Sequence, residues 1–346
     1  MQTAFVTGAT GLLGNNLVRS LAAKGVAVRA LVRSAEKARL QLGDVAEVEI
    51  VSGDMADTAG FADKLAGSDI LFHTAAYFRD SYGGGDHASA LHDTNVTGTK
   101  NLLEAAYKAG IRKMVHISSI AVLDGPRGAW IDETMVRARK NADPYYSSKI
   151  DTDEVVLAFL ESKPDFHASL VLPGWMHGPG DRGPTSAGQV TLDFLHQKLP
   201  GITPGTFSVV DARDVAEAAI SAATRGRRGE RYLAAGRHMA MADLFAIYEH
   251  VSGVPAPKAK LPTWLLQIVA SFSELGARVS KKPVLLSQAT VKLMLREAER
   301  TRFDHNKSRR ELGLEFRPIE DTLRDEIAWF KANGFVSTSP EAQKGY

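Results

Sequence analysis

Short apolar runs rich in β-branched residues alternate with helical patterns along the first half of the chain. This alternation predicts parallel strands joined by right-handed helical crossovers, which together form a doubly wound, mostly parallel α/β sheet. The predicted strands cover residues 3–7, 26–32, 45–51, 69–72, 113–118 and 168–172. The predicted helices between them cover residues 15–24, 58–66, 95–109 and 145–160. Ligands of such a sheet bind beyond the carboxyl ends of the strands, so candidate site residues are sought there.

The alternation breaks after residue 172, where a stretch rich in Gly and Pro covers residues 173–184. The rest of the chain is mostly helical, with a helix predicted at 191–198 and a strand-and-helix pattern at 209–224. We therefore expect two domains that each use discontinuous parts of the chain. The expected boundaries are 1–172 plus about 208–228 for the domain with the sheet, and about 173–207 plus 229–346 for a smaller, mainly helical domain.

Charge and composition exclude several classes of protein. The 42 basic and 40 acidic residues give a net charge of +2 and are scattered, so no nucleic-acid-binding surface is expected. The chain has no cysteine, which excludes disulfides and thiolate chemistry. His87 and His92 lack the spacing and the neighbouring carboxylates of a metal site, so no metal is expected. With no signal-peptide pattern and no apolar run near the ~20 residues of a membrane span, we expect a cytoplasmic protein.

A glycine-rich turn follows the first predicted strand and opens the first helix. Its spacing is G-x-x-G-x-x-G, in which the first glycine permits a tight turn, the second lets a phosphate approach and the third lets helix and strand pack closely. The alternative is a structural turn without a ligand. Because the turn lies at the first strand-to-helix junction, it favours dinucleotide binding by a Rossmann domain, with the smaller domain holding the substrate. The candidate cofactor-binding residues here are Gly8, Thr10, Gly11, Leu12, Leu13 and Gly14.

The end of the second predicted strand indicates which dinucleotide binds. An NAD site commonly has an acidic residue at this position, whereas Arg33 suits the 2′-phosphate of NADP. NADP(H) is therefore the expected cofactor and NAD(H) the alternative, which would leave Arg33 as a solvated surface charge. After the third strand, Asp54 and its neighbour Met55 are candidate cofactor contacts. Asp54 is expected to meet the adenine amino group, unless it only caps the following helix.

The run Asp143–Lys149 carries the candidate chemistry. Asp143 followed by Pro144 predicts a helix start, which places Tyr145 and Lys149 one turn apart on one helical face. A neighbouring ammonium stabilises a tyrosinate and makes the tyrosine a usable proton donor or acceptor. The Y-x-x-x-K pattern alone is common on surface helices. Serine hydroxyls at 118 and 119, after the fifth predicted strand, strengthen the prediction because they can polarise a substrate oxygen at the same sheet edge.

These motifs resemble the extended branch of the short-chain dehydrogenase/reductase superfamily over nearly the whole chain. The resemblance is to the dihydroflavonol 4-reductase-like and 3β-hydroxysteroid-dehydrogenase-like members of the NAD-dependent epimerase/dehydratase family. The segments that carry it are TGATGLLG, HTAA, NVTGT, HISS, YYSSK and GPGD. Two positions depart from the family pattern. Leu172 stands where members usually have Arg, and Ile120-Ala121 replace the Asp-Glu pair of the nucleotide-sugar dehydratases, which argues against dehydration.

The resemblance implies a role for individual residues of this chain. Tyr145 is the expected catalytic acid/base, Lys149 its partner and ribose ligand, and Ser119 the active-site hydroxyl, with Ser118 as the alternative. Asn95 is similar to a helix asparagine that supports the active-site backbone. The other implied cofactor contacts are Thr74, Ala75 and Ala76 along the ribose and phosphates, Ser118, and Pro173 and Gly174 near the nicotinamide amide.

The leading functional hypothesis is an NADPH-dependent oxidoreductase that reduces an aldehyde or ketone to an alcohol, with Tyr145 as the proton donor. The alternative is a nucleotide-sugar epimerase, and a third hypothesis is a non-enzymatic nucleotide-sensing protein, which has no need of the Tyr–Lys pair. The substrate-pocket candidates are Tyr77, Phe78, Trp175 and His177. The helices at 95–109 and 145–160 are expected to pair two copies of the chain as a homodimer. Lys100, Lys108, Asp153 and Glu154 would make that surface polar.

Overall fold

The computed structural model describes residues 1–78, 87–268 and 288–336. A seven-stranded, all-parallel sheet has the spatial order β3-β2-β1-β4-β5-β6-β9. Its strands are β1 (Thr3–Thr7), β2 (Ala27–Val32), β3 (Val48–Ser52), β4 (Ile70–His73), β5 (Lys113–Ile117), β6 (His167–Pro173) and β9 (Arg231–Ala234). This order reverses between β1 and β4, so the edge beyond their carboxyl ends is where a ligand of a doubly wound sheet binds.

Helices cover both faces of this sheet. One layer contains α1 (Leu12–Ala23), α2 (Ala35–Leu42) and α7 (Ala212–Arg225). The other contains a 3₁₀ helix (Thr58–Leu65), α4 (Gly98–Lys108) and α5 (Pro144–Ser162), with a short α3 (Ala88–Leu91) and a π-helical segment (His92–Thr97) before α4. Because both faces are covered, β1 is apolar on both sides, and its Ala4, Phe5 and Val6 are fully buried.

A second, three-stranded sheet has the order β10-β8-β7. Its strands are β7 (Trp175–His177), β8 (Thr206–Asp211) and β10 (Arg237–Ala240). Its core includes residues of α6 (Ser186–Leu195), α8 (Met241–Ser252) and α11 (Ile319–Ala332), and the remaining C-terminal helices are α9 (Gln288–Glu297) and α10 (Asn306–Leu312). The chain passes from the large sheet to the small one at Gly174, where a Cβ would lie 2.2 Å from the carbonyl oxygen of Ala235.

The fold agrees with the predicted class, and the differences are local. The first strand has the predicted bounds, and the mostly helical C-terminal part is as expected. The helix predicted at 191–198 begins earlier, at Ser186, because the Thr185 side chain caps it by accepting a bond from the Gly188 N–H. The seventh strand of the large sheet lies beyond residue 229, inside the segment assigned by prediction to the smaller domain. The other domain boundaries stay a prediction.

Among residues 1–78, 87–268 and 288–336, no helix is long and apolar enough to cross a membrane.

Candidate active site

The glycine-rich turn joins β1 to α1 and contacts the loop after β4. Gly8 has φ +66°, and a Cβ on it would lie 2.8 Å from the Ala75 nitrogen. A Cβ on Gly14 would lie 2.1 Å from the Gly8 carbonyl oxygen, so protein packing alone requires glycine at both positions. Gly11 is different, because it is exposed and a Cβ would approach only Gly8 O, at 3.3 Å. Its lack of a side chain leaves the N-terminus of α1 open to an anion.

Residues after β4 brace this turn from the side. The Thr74 hydroxyl donates to the Thr7 carbonyl oxygen at 2.7 Å, and the Ala75 N–H donates to the Thr7 hydroxyl at 3.2 Å. His73 lies between the Thr7 and Thr99 hydroxyls, with each ring nitrogen 2.8 Å from one of them. Burial lowers the pKa of His73 to about 3, so its ring is neutral. Thr74 and Ala75 are thus held next to the glycine-rich turn by hydrogen bonds to Thr7, and the exposed Ala76 follows them.

The two candidate contacts for the adenosine part of the cofactor, Arg33 and Asp54, both lie at the surface. Arg33 directly follows β2, is exposed, and forms no ion pair or hydrogen bond within the described parts of the chain. Asp54 is also exposed and accepts a bond from the Ala56 N–H at 2.9 Å. The alternative role of Asp54 as a helix cap is wrong, because Asp57 caps the 3₁₀ helix instead. Met55 packs its side chain into the core, so its backbone is the part available to a ligand.

The catalytic candidates Tyr145 and Lys149 lie in the first turns of α5. The helix begins as predicted, with the Asp143 carboxylate accepting from the Tyr146 N–H at 2.8 Å and Pro144 in the first turn. Tyr145 is 6% exposed and packs with Leu91 and Ala121. The Phe78 ring meets it edge-on, with 5.0 Å between the ring centroids. The candidate proton donor therefore lies in apolar and aromatic surroundings at the sheet edge.

Lys149 is buried one helical turn after Tyr145. Burial lowers the pKa of the Lys149 ammonium to about 8, while the carboxylate of Asp153 acts in the opposite direction. The side chain is therefore still mostly protonated near pH 7. In the parts of the chain that the structure describes, the ammonium forms no hydrogen bond or ion pair, so its donors remain available to a ligand at this edge.

The two serines after β5 have different surroundings. Ser119 is half-buried, and its hydroxyl accepts a bond from the Ala121 N–H at 3.1 Å, next to the residue that packs on Tyr145. Ser118 is buried beside the Asp153 carboxylate, and its hydroxyl has no partner within hydrogen-bond distance among the described residues. Ser119 is thus the more accessible hydroxyl of the two.

Asn95 lies in the π-helical segment and connects the loop after β4, which contains Tyr77, to α5. Its side-chain oxygen accepts from the Tyr77 N–H at 2.6 Å, and its amide donates to the Tyr77 carbonyl oxygen at 3.0 Å. The same amide donates to the Ser148 hydroxyl at 3.2 Å, next to Lys149. The Thr152 hydroxyl also donates to the Asn95 carbonyl oxygen at 3.1 Å. A buried amide with these partners fixes the backbone on either side of the candidate site.

The pocket candidates divide into two groups. Tyr77 is half-buried, with its hydroxyl 2.9 Å from the His87 ring, and Phe78 is exposed against Tyr145. After Pro173 and Gly174, Trp175 is half-buried, with its ring centroid 4.8 Å from that of Phe207. His177 is fully buried in the smaller domain and hydrogen-bonds Glu326 at 3.0 Å. Its surroundings favour packing over contact with a substrate.

The prediction missed a set of polar residues behind Lys149, three of them buried and the fourth half-buried. These are His73 on β4, His116 on β5, Asp153 on α5 and Arg231 at the start of β9. The expectation that Asp153 contributes to a polar, dimer-forming surface is wrong, because its side chain is 2% exposed and ion-paired with Arg231. Its spacing of four residues from Lys149 is the signal in the sequence that could have found it.

The glycine turn, the sheet edge and the Tyr–Lys helix together define a dinucleotide-dependent α/β oxidoreductase. Over residues 4–235 the chain matches the NAD dependent epimerase/dehydratase family, and it belongs to this family.

Proteins similar over almost the whole chain agree with this assignment. Sterol demethylase protein B of Methylococcus capsulatus is 35% identical over 337 residues, which are 96% of this chain and 100% of the relative. A Synechocystis sp. protein with the provisional name of a dihydroflavonol 4-reductase is 33% identical over 343 residues, or 96% of each chain. The crystal structure of gox2253 matches with a TM-score of 0.81 at 33% identity, covering 97% of this chain and 100% of that one.

These comparisons confirm the predicted family, the doubly wound fold and the class of enzyme. The protein is an NAD(P)-dependent oxidoreductase of the short-chain dehydrogenase/reductase type that acts on a hydroxyl or carbonyl group. The open N-terminus of α1 fits a nicotinamide dinucleotide, as do Lys149 and Arg33, whose charged groups have no ion-pair partner in the described part of the chain.

Proposed function

We propose that the protein is an NADPH-dependent reductase that converts an aldehyde or ketone to an alcohol. The observation that carries this proposal is the buried Tyr145–Lys149 face of α5, next to the accessible hydroxyl of Ser119. A proton donor, a hydroxyl for the substrate oxygen and a cation converge at the edge where the dinucleotide is expected. This set of groups is what reduction of a carbonyl requires of the protein.

Each side chain has a distinct task in this reaction. The bound cofactor supplies the hydride that reaches the carbonyl carbon. Ser119 donates a hydrogen bond to the substrate oxygen and holds it beside Tyr145, which gives that oxygen its proton. Lys149 stabilises the tyrosinate left behind and binds the cofactor ribose. Asn95 hydrogen-bonds both the Tyr77 backbone and Ser148 of α5, so it fixes the distance between the loop after β4 and the proton donor Tyr145.

The surroundings of Tyr145 support an apolar carbonyl compound as the substrate. The side chains seen to pack on Tyr145 are apolar or aromatic: Phe78, Leu91, Ala121 and the partly buried Tyr77 and Tyr146. A nucleotide sugar brings two phosphates, which proteins bind with cations or helix N-termini. The aromatic neighbours therefore favour the reductase over the epimerase. The relative named as a dihydroflavonol 4-reductase supports the same choice.

Arg33 supports NADPH rather than NADH. Its guanidinium follows β2, is exposed, and has no ion-pair partner within the described residues, so it can bind a 2′-phosphate in a charge-assisted, bidentate contact. Hydrogen bonds to charged groups contribute about 1.5–3 kcal/mol each. This energy corresponds to a preference of roughly 10- to 150-fold for NADPH.

The test is a panel of aldehydes, ketones, dihydroflavonols, hydroxysteroids and sugar nucleotides, assayed by the absorbance of the reduced cofactor. We expect oxidation of NADPH with an apolar aldehyde or ketone, and weaker activity with NADH. Arg33→Ala should raise the KM for NADPH and leave that for NADH nearly unchanged. Arg39→Ala, which removes an exposed arginine of α2, is the matched control and should have little effect. Equal use of both cofactors, or epimerisation without net oxidation of NADPH, would contradict the proposal.

Two further expectations accompany this function and stay predictions. Helices α4 and α5 lie side by side on one face of the sheet, where a second copy of the chain could pair with them. Light scattering at micromolar concentration should therefore give twice the chain mass of 37.4 kDa. Fractionation of cells should place the protein in the cytoplasm, together with the NADPH that it would use.

A further inference from the structure

A row of alternating charges is buried behind the candidate active site. Lys149 and Asp153 are one turn apart on the buried face of α5. The Asp153 carboxylate accepts from the Arg231 guanidinium at 3.1 Å, across 78 residues of sequence and from the edge strand β9. Arg231 is 18% exposed and Asp153 only 2% by side chain, so this ion pair is largely shielded from water. A buried charge that loses its partner is costly, so Asp153 and Arg231 depend on each other.

Within residues 1–78, 87–268 and 288–336, the other groups seen to face this row are neutral. His116 on β5 lies 3.7 Å from the Asp153 carboxylate, and its ring centroid is 5.4 Å from that of His73 on β4, with the two rings tilted by 34°. Burial and the neighbouring cations Lys149 and Arg231 keep the pKa of His116 well below its usual range, and His73 is neutral for the same reason of burial. Ser118 adds an uncharged hydroxyl. The charge balance around Lys149 is therefore set by Asp153 and Arg231.

We propose that Asp153 is a positioning residue for carbonyl reduction, whose carboxylate, held by Arg231, keeps the buried Lys149 ammonium protonated and directed toward Tyr145 and the cofactor ribose. The inference rests on the function proposed above, because it assigns to Asp153 the task of maintaining the cation that this chemistry uses. Asp153 itself lies behind Lys149 and touches neither substrate nor cofactor. It acts through the lysine.

The sign of the effect follows from the surroundings of Lys149. Burial lowers the pKa of Lys149 and the charge of Asp153 raises it, so removing that charge lowers it further. Burial also raises the pKa of Asp153, which Arg231 and Lys149 counteract by favouring the carboxylate. In Asp153→Asn, Lys149 would lose its proton at a lower pH than in the wild type. A neutral lysine neither stabilises a tyrosinate nor binds a ribose oxygen as strongly.

The experiment measures NADPH binding between pH 6.5 and 10 by nucleotide fluorescence, in a Tyr145→Phe background that removes titration of the tyrosine. The pH at which affinity falls should move down by about one unit when Asp153→Asn is added. Asp153→Glu keeps the charge and should restore most of that midpoint. With the intact tyrosine, the alkaline limb of kcat/KM should move in the same direction as the binding midpoint.

Arg231→Gln is the control for a purely structural role, because it breaks the same ion pair but leaves the Asp153 carboxylate next to Lys149. Its midpoint should stay or rise. If Asp153→Asn does not fold, Asp153→Ala takes its place with the same expected downward shift, and a downward shift in Arg231→Gln would by itself contradict the proposal. Equal downward shifts in Arg231→Gln and Asp153→Asn would overturn the proposal, as would weaker binding at every pH with an unchanged midpoint. If the binding midpoint shifts as expected but the wild type reduces no carbonyl compound, the proposed function fails while the coupling of Asp153 to Lys149 stands.

Discussion

The cofactor side and the catalytic side of the candidate site are built by different means. On the cofactor side, the turn between β1 and α1 is shaped by the absence of side chains, since a Cβ on Gly8 or Gly14 would collide with backbone atoms. On the catalytic side, α5 presents Tyr145 and Lys149 in front of a buried ion pair formed by Asp153 and Arg231. The first side depends on close approaches between backbone segments, and the second depends on charges brought together from α5 and the distant strand β9.

This difference predicts how each side responds to substitution. A backbone-defined site should fail through packing, with loss of cofactor binding and of stability together. A site defined by charges and hydroxyl groups should fail through chemistry, with turnover or pH dependence changing while the fold and the binding of cofactor persist. The four predictions below test this contrast, from the largest expected effect to the smallest.

Tyr145→Phe should have the largest effect and should leave the fold unchanged. The variant keeps the buried ring that packs on Leu91 and Ala121 but removes the proton donor. General acid–base groups typically contribute about 10²–10⁴-fold, so kcat should fall by that factor while the Kd for NADPH stays within a few-fold. Tyr146→Phe is the matched control, because four residues after Tyr146 the chain has Ile150 in place of a lysine. Unchanged turnover in Tyr145→Phe would show that Tyr145 is not the proton donor.

Ser119→Ala should lower kcat by about 10²-fold, the size of effect seen when one donor to a developing oxyanion is removed. Ser118→Ala should cost much less, because that hydroxyl is buried beside Asp153 and away from the accessible edge. Both kcat values are measured with the same carbonyl substrate at saturating NADPH. A larger loss of kcat in Ser118→Ala would show that Ser118, not Ser119, provides the active-site hydroxyl.

Gly14→Ala should weaken cofactor binding and stability together. The new Cβ would lie 2.1 Å from the Gly8 carbonyl oxygen, so the turn has to move, and such overpacking costs about 1–3 kcal/mol. Urea unfolding and NADPH titration of the same sample measure the two effects. Gly183→Ala is the matched control, since a Cβ there meets nothing within 4 Å. Gly14→Ala with wild-type stability but abolished binding would mean that packing does not define this turn.

The same contrast explains which parts of the molecule were predictable. The strand Thr3–Thr7, the glycine turn and the Asp143-capped start of α5 follow local rules of periodicity and capping, and all three have the predicted places. The buried position of Asp153 depends on Arg231, a partner 78 residues away on a strand that the pattern did not indicate. The Asn95 contacts likewise join three separate segments through one amide. Local rules contain no information about such partners.

The pH dependence of stability should show the smallest effect, at Asp181 in the loop that packs on α1. Its carboxylate accepts from the Thr185 N–H and hydroxyl, both at 2.8 Å, and burial raises the pKa of Asp181 to about 7. An unfolded aspartate has a pKa of about 3.9, so between pH 4 and 7 the native state holds the extra proton. The contribution of Asp181 to the free energy of unfolding therefore falls as pH rises through this window.

Asp181→Asn removes this titration while keeping an oxygen that can accept both bonds from Thr185. The difference in free energy of unfolding, wild type minus variant, should be more positive at pH 5 than at pH 7.5 by about 1–2 kcal/mol, measured by urea unfolding. Taking the difference cancels most contributions from residues that both chains retain, including the neighbouring His177 and Glu326. Asp193→Asn, a half-buried position near the end of α6, is the control and should show less pH dependence. An equal difference at both pH values would mean that Asp181 is ionised throughout, with the two Thr185 donors outweighing the effect of burial.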